Sequence, residues 1–182
     1  MTTLPRPHAN SYWVRPGRLL AGEYPGALDP DAAREKLRDH LDVGLNFFLD
    51  LTDPADGLEP YADLLHAEAA ARGLTVQHRQ MTIRDLDVPT PAQMTAILDT
   101  MDAALAAGYN VYLHCWGGIG RTGTVVGCYL VRHGLTGEQA LAQIAQWWRS
   151  VEKSRWHTRS PQTDEQVEYI RRWRELSDGQ AG

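Results

Sequence analysis

At 182 residues, 43% hydrophobic and 23% charged, the chain suits one ordinary globular domain with a single sizeable core. Its formal net charge of -5 excludes the broad basic surface of a nucleic-acid binder and leaves room only for a locally organised anion site. Two cysteines are too few for a disulfide framework, and seven histidines without ligand spacing call for no metal. No run approaches the roughly 18 apolar residues that cross a bilayer, and "MTTLPRPHAN" carries no apolar leader core, so a soluble, cytoplasmic protein with no membrane span is expected.

In chain order, "YWVRPGRLLAGEYPG" (12–26) predicts two short extended segments around the Pro16-Gly17 turn. "DPDAAREKLRDHL" (29–41) predicts a helix with Asp29 as cap, Pro30 at the first helical position and Gly44 as its stop. A buried strand at Leu45 to Leu51, a helix from Pro60 to Gly73 and a strand in "LTVQHRQ" follow. After the polar loop "MTIRDLDVPT", Thr90-Pro91 opens a helix to about Ala107, and "NVYLHC" is a further buried strand. From Thr122 on, everything reads as helix: "TGTVVGCYLVRHG", then "TGEQALAQIAQWWRS" behind a Thr136–Gln139 capping box, then "TDEQVEYIRRWREL" with acids first and arginines last. Alternation followed by a helical C-terminal third predicts an α/β fold. A central, mostly parallel sheet would be flanked by helices, in one unit spanning 1–182 with its ordered core at about 12–175.

The chemistry concentrates in "VYLHCWGGIGRTGT" (111–124), where a strand runs through a glycine-rich loop into a helix. Gly118 to Gly123 is literally GxGxxG, but a dinucleotide fold needs another strand after the helix, ending in an acid about twenty residues on. Glu138 falls at that distance yet opens a helix. A Walker A loop fails because no lysine follows the glycine. Cys128 reads as an ordinary buried cysteine. Cys115, by contrast, sits at the mouth of a loop leading into a helix N-terminus, where peptide N–H groups and the helix dipole favour a thiolate.

A phosphate monoester explains the whole stretch. Its oxygens need several inward N–H donors, which the backbone of Trp116, Gly117, Gly118, Ile119 and Gly120 supplies. Arg121, six residues after Cys115, would fork onto two of those oxygens. The sulfur would then lie in line with phosphorus, and the Thr122 hydroxyl would donate to it as it leaves.

His114, Cys115, five residues, Arg121 and Thr122 resemble the signature of the cysteine-dependent protein tyrosine phosphatase superfamily. The resemblance covers roughly Tyr12 to Trp173, and the length is similar to that of compact, atypical dual-specificity phosphatases of bacterial type. It implies a phosphatase that forms a phosphocysteine on Cys115 and needs no cofactor. It also implies an aspartic acid on an upstream loop as general acid and base: "IRDLDVP" matches the compact members' loop at Asp85, with Asp87 as competitor. His114 would orient the loop and support the thiolate. "SPQTDEQ" (160–166) is similar to the family's glutamine loop, which makes Gln162, and next Gln166, candidates for positioning the hydrolytic water; Thr163 as a helix cap explains the same letters.

The expected partner is a phosphorylated protein or a small phosphate ester. The loop carries Trp116 and Ile119 where phosphoinositide-specific relatives commonly carry lysines, which weakens a lipid reading. The basic run "RSVEKSRWHTRS" (149–160) would select acidic substrates if it overhangs the pocket. Two other classes use the same letters: a catalytically silent phosphate-binding module, and a redox or sulfur-transfer protein acting through Cys115.

Overall fold

The computed structural model describes residues 4–175; of the expected unit 1–182, residues 1–3 and 176–182 lie outside the described residues. Five strands form one sheet: β1 (Ser11–Arg15), β2 (Leu19–Gly22), β3 (Phe47–Asp50), β4 (Gln77–Gln80) and β5 (Val111–His114). Their order is β1-β2-β5-β3-β4; only the β1–β2 hairpin is antiparallel. The helices are α1 (Pro30–Asp42), α2 (Ala62–Ala71), α3 (Pro91–Ala106), α4 (Gly120–Arg132), α5 (Gly137–Trp148) and α6 (Asp164–Arg172).

Each helix starts where its local chemistry allows. Asp29 caps α1 by accepting from the Ala32 N–H, while Thr90, Thr136 and Thr163 form reciprocal capping boxes with Gln93, Gln139 and Gln166. Helix α4 begins at Gly120, two residues before the predicted start, because the chain enters its first turn directly from the glycine loop. The literal GxGxxG opens no dinucleotide unit: α4 is followed by α5, with no strand between.

Strand alternation sends side chains to two cores. Leu20, Phe48 and Tyr112 face α1 and α2, packing with Leu37, Leu41, Leu65 and Ala69. Their neighbours Leu19, Ala21, Leu49, Val111 and Leu113 face the other helices, packing with Met94, Leu98, Val125, Ile144 and Ile170. With a helical layer on each face, the parallel strands β2, β3, β4 and β5 all end on the same edge. The segments leaving that edge are 23–29 after β2, 51–61 after β3, 81–90 after β4 and 115–119 after β5. Such an edge is where open parallel sheets gather their functional loops.

Candidate active site

The loop from Cys115 to Ile119 is shaped by what holds its carbonyl oxygens. The Tyr24 N–H donates to the Trp116 carbonyl at 2.9 Å, the Lys153 Nζ to Gly117 at 3.0 Å and the Ser160 Oγ to Ile119 at 2.7 Å. The Cys115 carbonyl lies 3.1 Å from His114 Nδ1. All these carbonyls are drawn outward. In a trans peptide the next residue's N–H points the opposite way, so the N–H groups of Trp116, Gly117, Gly118 and Gly120 turn toward the inside of the loop. The result is a nest of donors above Cys115, which is itself buried.

Close approach of backbone to backbone makes this curvature possible. Gly118 has φ +72, and a Cβ there would stand 2.6 Å from the Gly22 carbonyl carbon and oxygen. Both the backbone conformation and the space exclude a side chain. Gly118→Ala is expected to cost more than about 2 kcal/mol of stability and to lower phosphate affinity; a urea unfolding midpoint within error of wild type would contradict this.

Arg121 enters the site from the first turn of α4 and is 2% exposed. Its Nη1 donates to Asp56 Oδ2 at 2.7 Å and to the Ile83 carbonyl at 3.1 Å, and its Nη2 pairs with Asp85 Oδ1 at 3.1 Å. Burial alone would lower the guanidinium's pKa, but the neighbouring Cys115 sulfur and the Asp56 and Asp85 carboxylates outweigh it and hold it above the ordinary value. Arg121 Nε and the buried Thr122 Oγ1 have no hydrogen-bond partner among the described residues. Buried donors are normally paired, so the Arg121 Nε is suited to an oxyanion accepted from outside, and the Thr122 hydroxyl keeps its proton free to donate within the site.

Asp56 was not found by sequence reasoning. It ends a 3-10 turn (Pro54–Asp56) after β3, and its carboxylate also accepts from the Asp53 N–H in a reciprocal cap. In the sequence it reads as one more turn aspartate. Of the basic run 149–160, expected to select acidic substrates if it overhangs the pocket, Lys153 touches the loop and pairs with Glu23 at 2.6 Å, while Arg149, Arg155 and His157 are exposed and Arg159 pairs with Asp164. Trp156, also in that run, is exposed.

The two candidate acids diverge. Asp85 reaches Arg121 and remains half exposed, whereas the Asp87 carboxylate accepts from the Val88 N–H at 2.8 Å, immediately beside it. Gln162 is exposed, and Gln166 is fully buried with its amide engaged by three backbone groups.

Behind the loop, His114 is fully buried, and burial depresses its pKa, against the pull of Asp50. A carbonyl only accepts, so the Nδ1 facing Cys115 O carries the proton, and Nε2 accepts from the Tyr61 hydroxyl at 2.6 Å. A neutral ring in this tautomer fixes the loop's entry and adds no positive charge to it. Asp50 stays ionised with a pKa of about 2 although burial opposes it, because His114, His78 and two bonds from Thr52 favour the carboxylate.

A cleft of about 440 Å³ opens beside the loop, lined by Tyr24, Leu28, Lys36, Asp56, Trp116 and Lys153. Leu28 and Trp116 are exposed at 84% and 53%, which puts two large apolar groups at its edge. Among the described residues no group of His, Cys, Asp and Glu is arranged to hold a metal, and no helix is long and apolar enough to cross a membrane.

Comparison with known proteins identifies the family. A family model described as "Swiss Army Knife protein, DSP-PTPase phosphatase domain" matches residues 8–178. The human dual specificity protein phosphatase CDC14C is 36% identical over 56 residues, which is 31% of this chain and 12% of that protein's length. Among solved structures, Tk-PTP in its active form superposes with a TM-score of 0.63 at 24% identity, covering 88% of this chain and 93% of that one. Kinase-associated phosphatase gives 0.65 at 20% over 84% and 83%, and TpbA of P. aeruginosa 0.61 at 16% over 90% and 89%. At these identities the superpositions speak for the fold alone.

Proposed function

The chain belongs to the DSP-PTPase phosphatase domain family and is a protein tyrosine/dual-specificity phosphatase-like enzyme, and from that premise we propose how its own residues divide the work. Cys115 is the nucleophile. Its thiolate attacks phosphorus and the ester oxygen leaves, taking a proton from Asp85; water then attacks the phosphocysteine, gives its proton to Asp85 and releases the thiolate. The Thr122 hydroxyl donates to the departing sulfur. Arg121 and the N–H groups of residues 116–120 carry the charge on the non-bridging oxygens, the largest electrostatic contribution to the rate.

The observation that carries this reading is the donor nest over Cys115, closed by an Arg121 whose Nε has no partner among the described residues. Asp85, facing Arg121 from the loop after β4, supports the same assignment over Asp87. A binding-only module would use the nest and Arg121 but has no use for a carboxylate at that place. The aryl or peptide portion of the substrate belongs in the Trp116–Leu28 cleft, which favours a phosphorylated protein side chain over a highly charged head group. We also assign the chain a single catalytic domain working in a reducing compartment such as the cytoplasm, where Cys115 stays free.

The test is metal-free hydrolysis of phenyl phosphate from pH 4 to 9 by wild type, Asp85→Asn and Asp87→Asn. The expected result is a bell-shaped profile whose basic limb disappears in Asp85→Asn, with kcat lowered on the order of 10²-fold, and survives in Asp87→Asn. A basic limb lost only in Asp87→Asn would reassign the acid.

A further inference from the structure

The turn that carries Asp85 hangs between two fixed points. Upstream, buried Ile83 donates its N–H to the Leu51 carbonyl at 3.1 Å, and its own carbonyl accepts from Arg121. Downstream, the Asp87 carbonyl accepts from Gln166 Nε2 at 3.2 Å. Between them the Asp87 N–H donates to the Arg84 carbonyl at 3.1 Å, and Leu86 adopts φ 62, the left-handed region. A bulky residue is disfavoured there and persists only when its surroundings enforce it.

Gln166 is well placed to enforce it. Its Oε1 accepts from the Gln162 and Thr163 N–H groups, both at 3.1 Å, which leaves only the amide nitrogen to face Asp87. The side chain also lies directly on the first turn of α4, since a Cβ at Gly120 would stand 2.8 Å from Gln166 Oε1. Six residues earlier, Ser160 Oγ holds the Ile119 carbonyl. One short stretch, 160–166, is thus tied to the nucleophile's loop at one end and to the acid's turn at the other.

We propose that Gln166 is a positioning residue for the general acid: through the Asp87 carbonyl it holds the 84–87 turn so that Asp85 faces the phosphate loop. This rests on the phosphatase reading above and gives Gln166 a task other than orienting water. The amide's acceptor side is already taken by backbone, and its donor side meets the acid loop.

Gln166→Glu tests this with little change of shape. It keeps an acceptor at the third position of the capping box, where glutamate serves as well as glutamine, and replaces the donor by an oxygen facing a carbonyl. The readout is the ratio of kcat/KM for phenyl phosphate, whose leaving group needs a proton, to kcat/KM for 2,4-dinitrophenyl phosphate, whose leaving group does not; kcat/KM covers only the steps through phosphocysteine formation, so the Asp85-assisted hydrolysis common to both substrates drops out. Taken within one preparation, this ratio is independent of the folded fraction. It also makes Gln166→Met a usable second variant if the glutamate destabilises the helix. Either variant is expected to lower the ratio about 10-fold or more, with the dinitrophenyl kcat/KM within about 2-fold of wild type, and to add nothing to Asp85→Asn in the double variant. Equal losses on both substrates, losses additive with Asp85→Asn, or an unchanged ratio would overturn the proposal. Turnover surviving in Cys115→Ser would instead overturn the phosphatase reading, and this proposal with it.

Discussion

Cys115→Ser is expected to abolish turnover, with a loss of about 10⁴- to 10⁶-fold in kcat, the range seen when a covalent nucleophile is removed. The reason lies in what surrounds the sulfur. A serine hydroxyl at this place needs a base to take its proton, and the nearest imidazole cannot serve. His114 directs Nδ1–H at the Cys115 carbonyl and accepts from Tyr61 at Nε2, so neither nitrogen is available. Thiol chemistry suits the site because a thiol gives up its proton far more readily than a hydroxyl and needs no adjacent base to become a nucleophile. The peptide N–H groups and Arg121 do not depend on sulfur to bind phosphate. Calorimetry should therefore give a phosphopeptide Kd for Cys115→Ser within about 3-fold of that for Cys115→Ala, with the unfolding midpoint kept. Substantial turnover by the serine variant would transfer the nucleophile's role to another group.

Acid sensitivity is the second large effect. Burial lowers the pKa of His8 to about 4, that of His40 well below its ordinary value and that of His114 below it too. All three are neutral in the folded protein at pH values where the unfolded chain protonates them. The unfolded state therefore binds more protons once the pH falls below about 6.5, and stability, intact above that value, declines as pH drops toward the folded pKa values. Each such proton contributes a slope of up to about 1.4 kcal/mol per pH unit. Against an ordinary stability of about 5–15 kcal/mol, a clear fall in the urea midpoint between pH 7.5 and 5.5 is expected at room temperature. Asp50 contributes only at lower pH, losing its share as pH falls from 3.8 toward about 2. Urea unfolding at pH 7.5, 6.5 and 5.5 measures the slope, and His40→Leu should reduce it by one proton. That variant strands no acceptor, because the Lys36 carbonyl bonded by His40 Nδ1 also lies in the i−4 position of helix α1. A flat profile from pH 7.5 to 5.5 would refute the linkage.

Sequence alone determined those parts of this protein whose partners lie close along the chain. The caps at Asp29, Thr90, Thr136 and Thr163 bond residues three positions away, and the strands and helices follow from apolar spacing within ten residues or so. The loop from Cys115 to Thr122, the proposed phosphate site, is legible for the same reason: thiol, loop amides and guanidinium are all set within eight consecutive residues, so the chemistry proposed for them leaves a local spacing.

Tertiary structure decided what meets across the sheet edge. The Asp56–Arg121 pair joins residues 65 apart, Lys153 to Gly117 spans 36, and Gln166 to Asp87 spans 79. No periodicity encodes such distances. An aspartate in a turn, a lysine in a basic run and a glutamine in a capping box have the same letters whether they face water or the site. Asp85 and Asp87 illustrate the limit within one loop, since both are acidic and two residues apart. What separates them is the backbone of the turn: Leu86 in the left-handed region sends Asp85 toward Arg121 and leaves the Asp87 carboxylate on the adjacent Val88 N–H. Parallel strands that end together bring these loops to one edge, so the order of strands, which packing of both sheet faces selects, determines which distant residues meet at the proposed phosphate site.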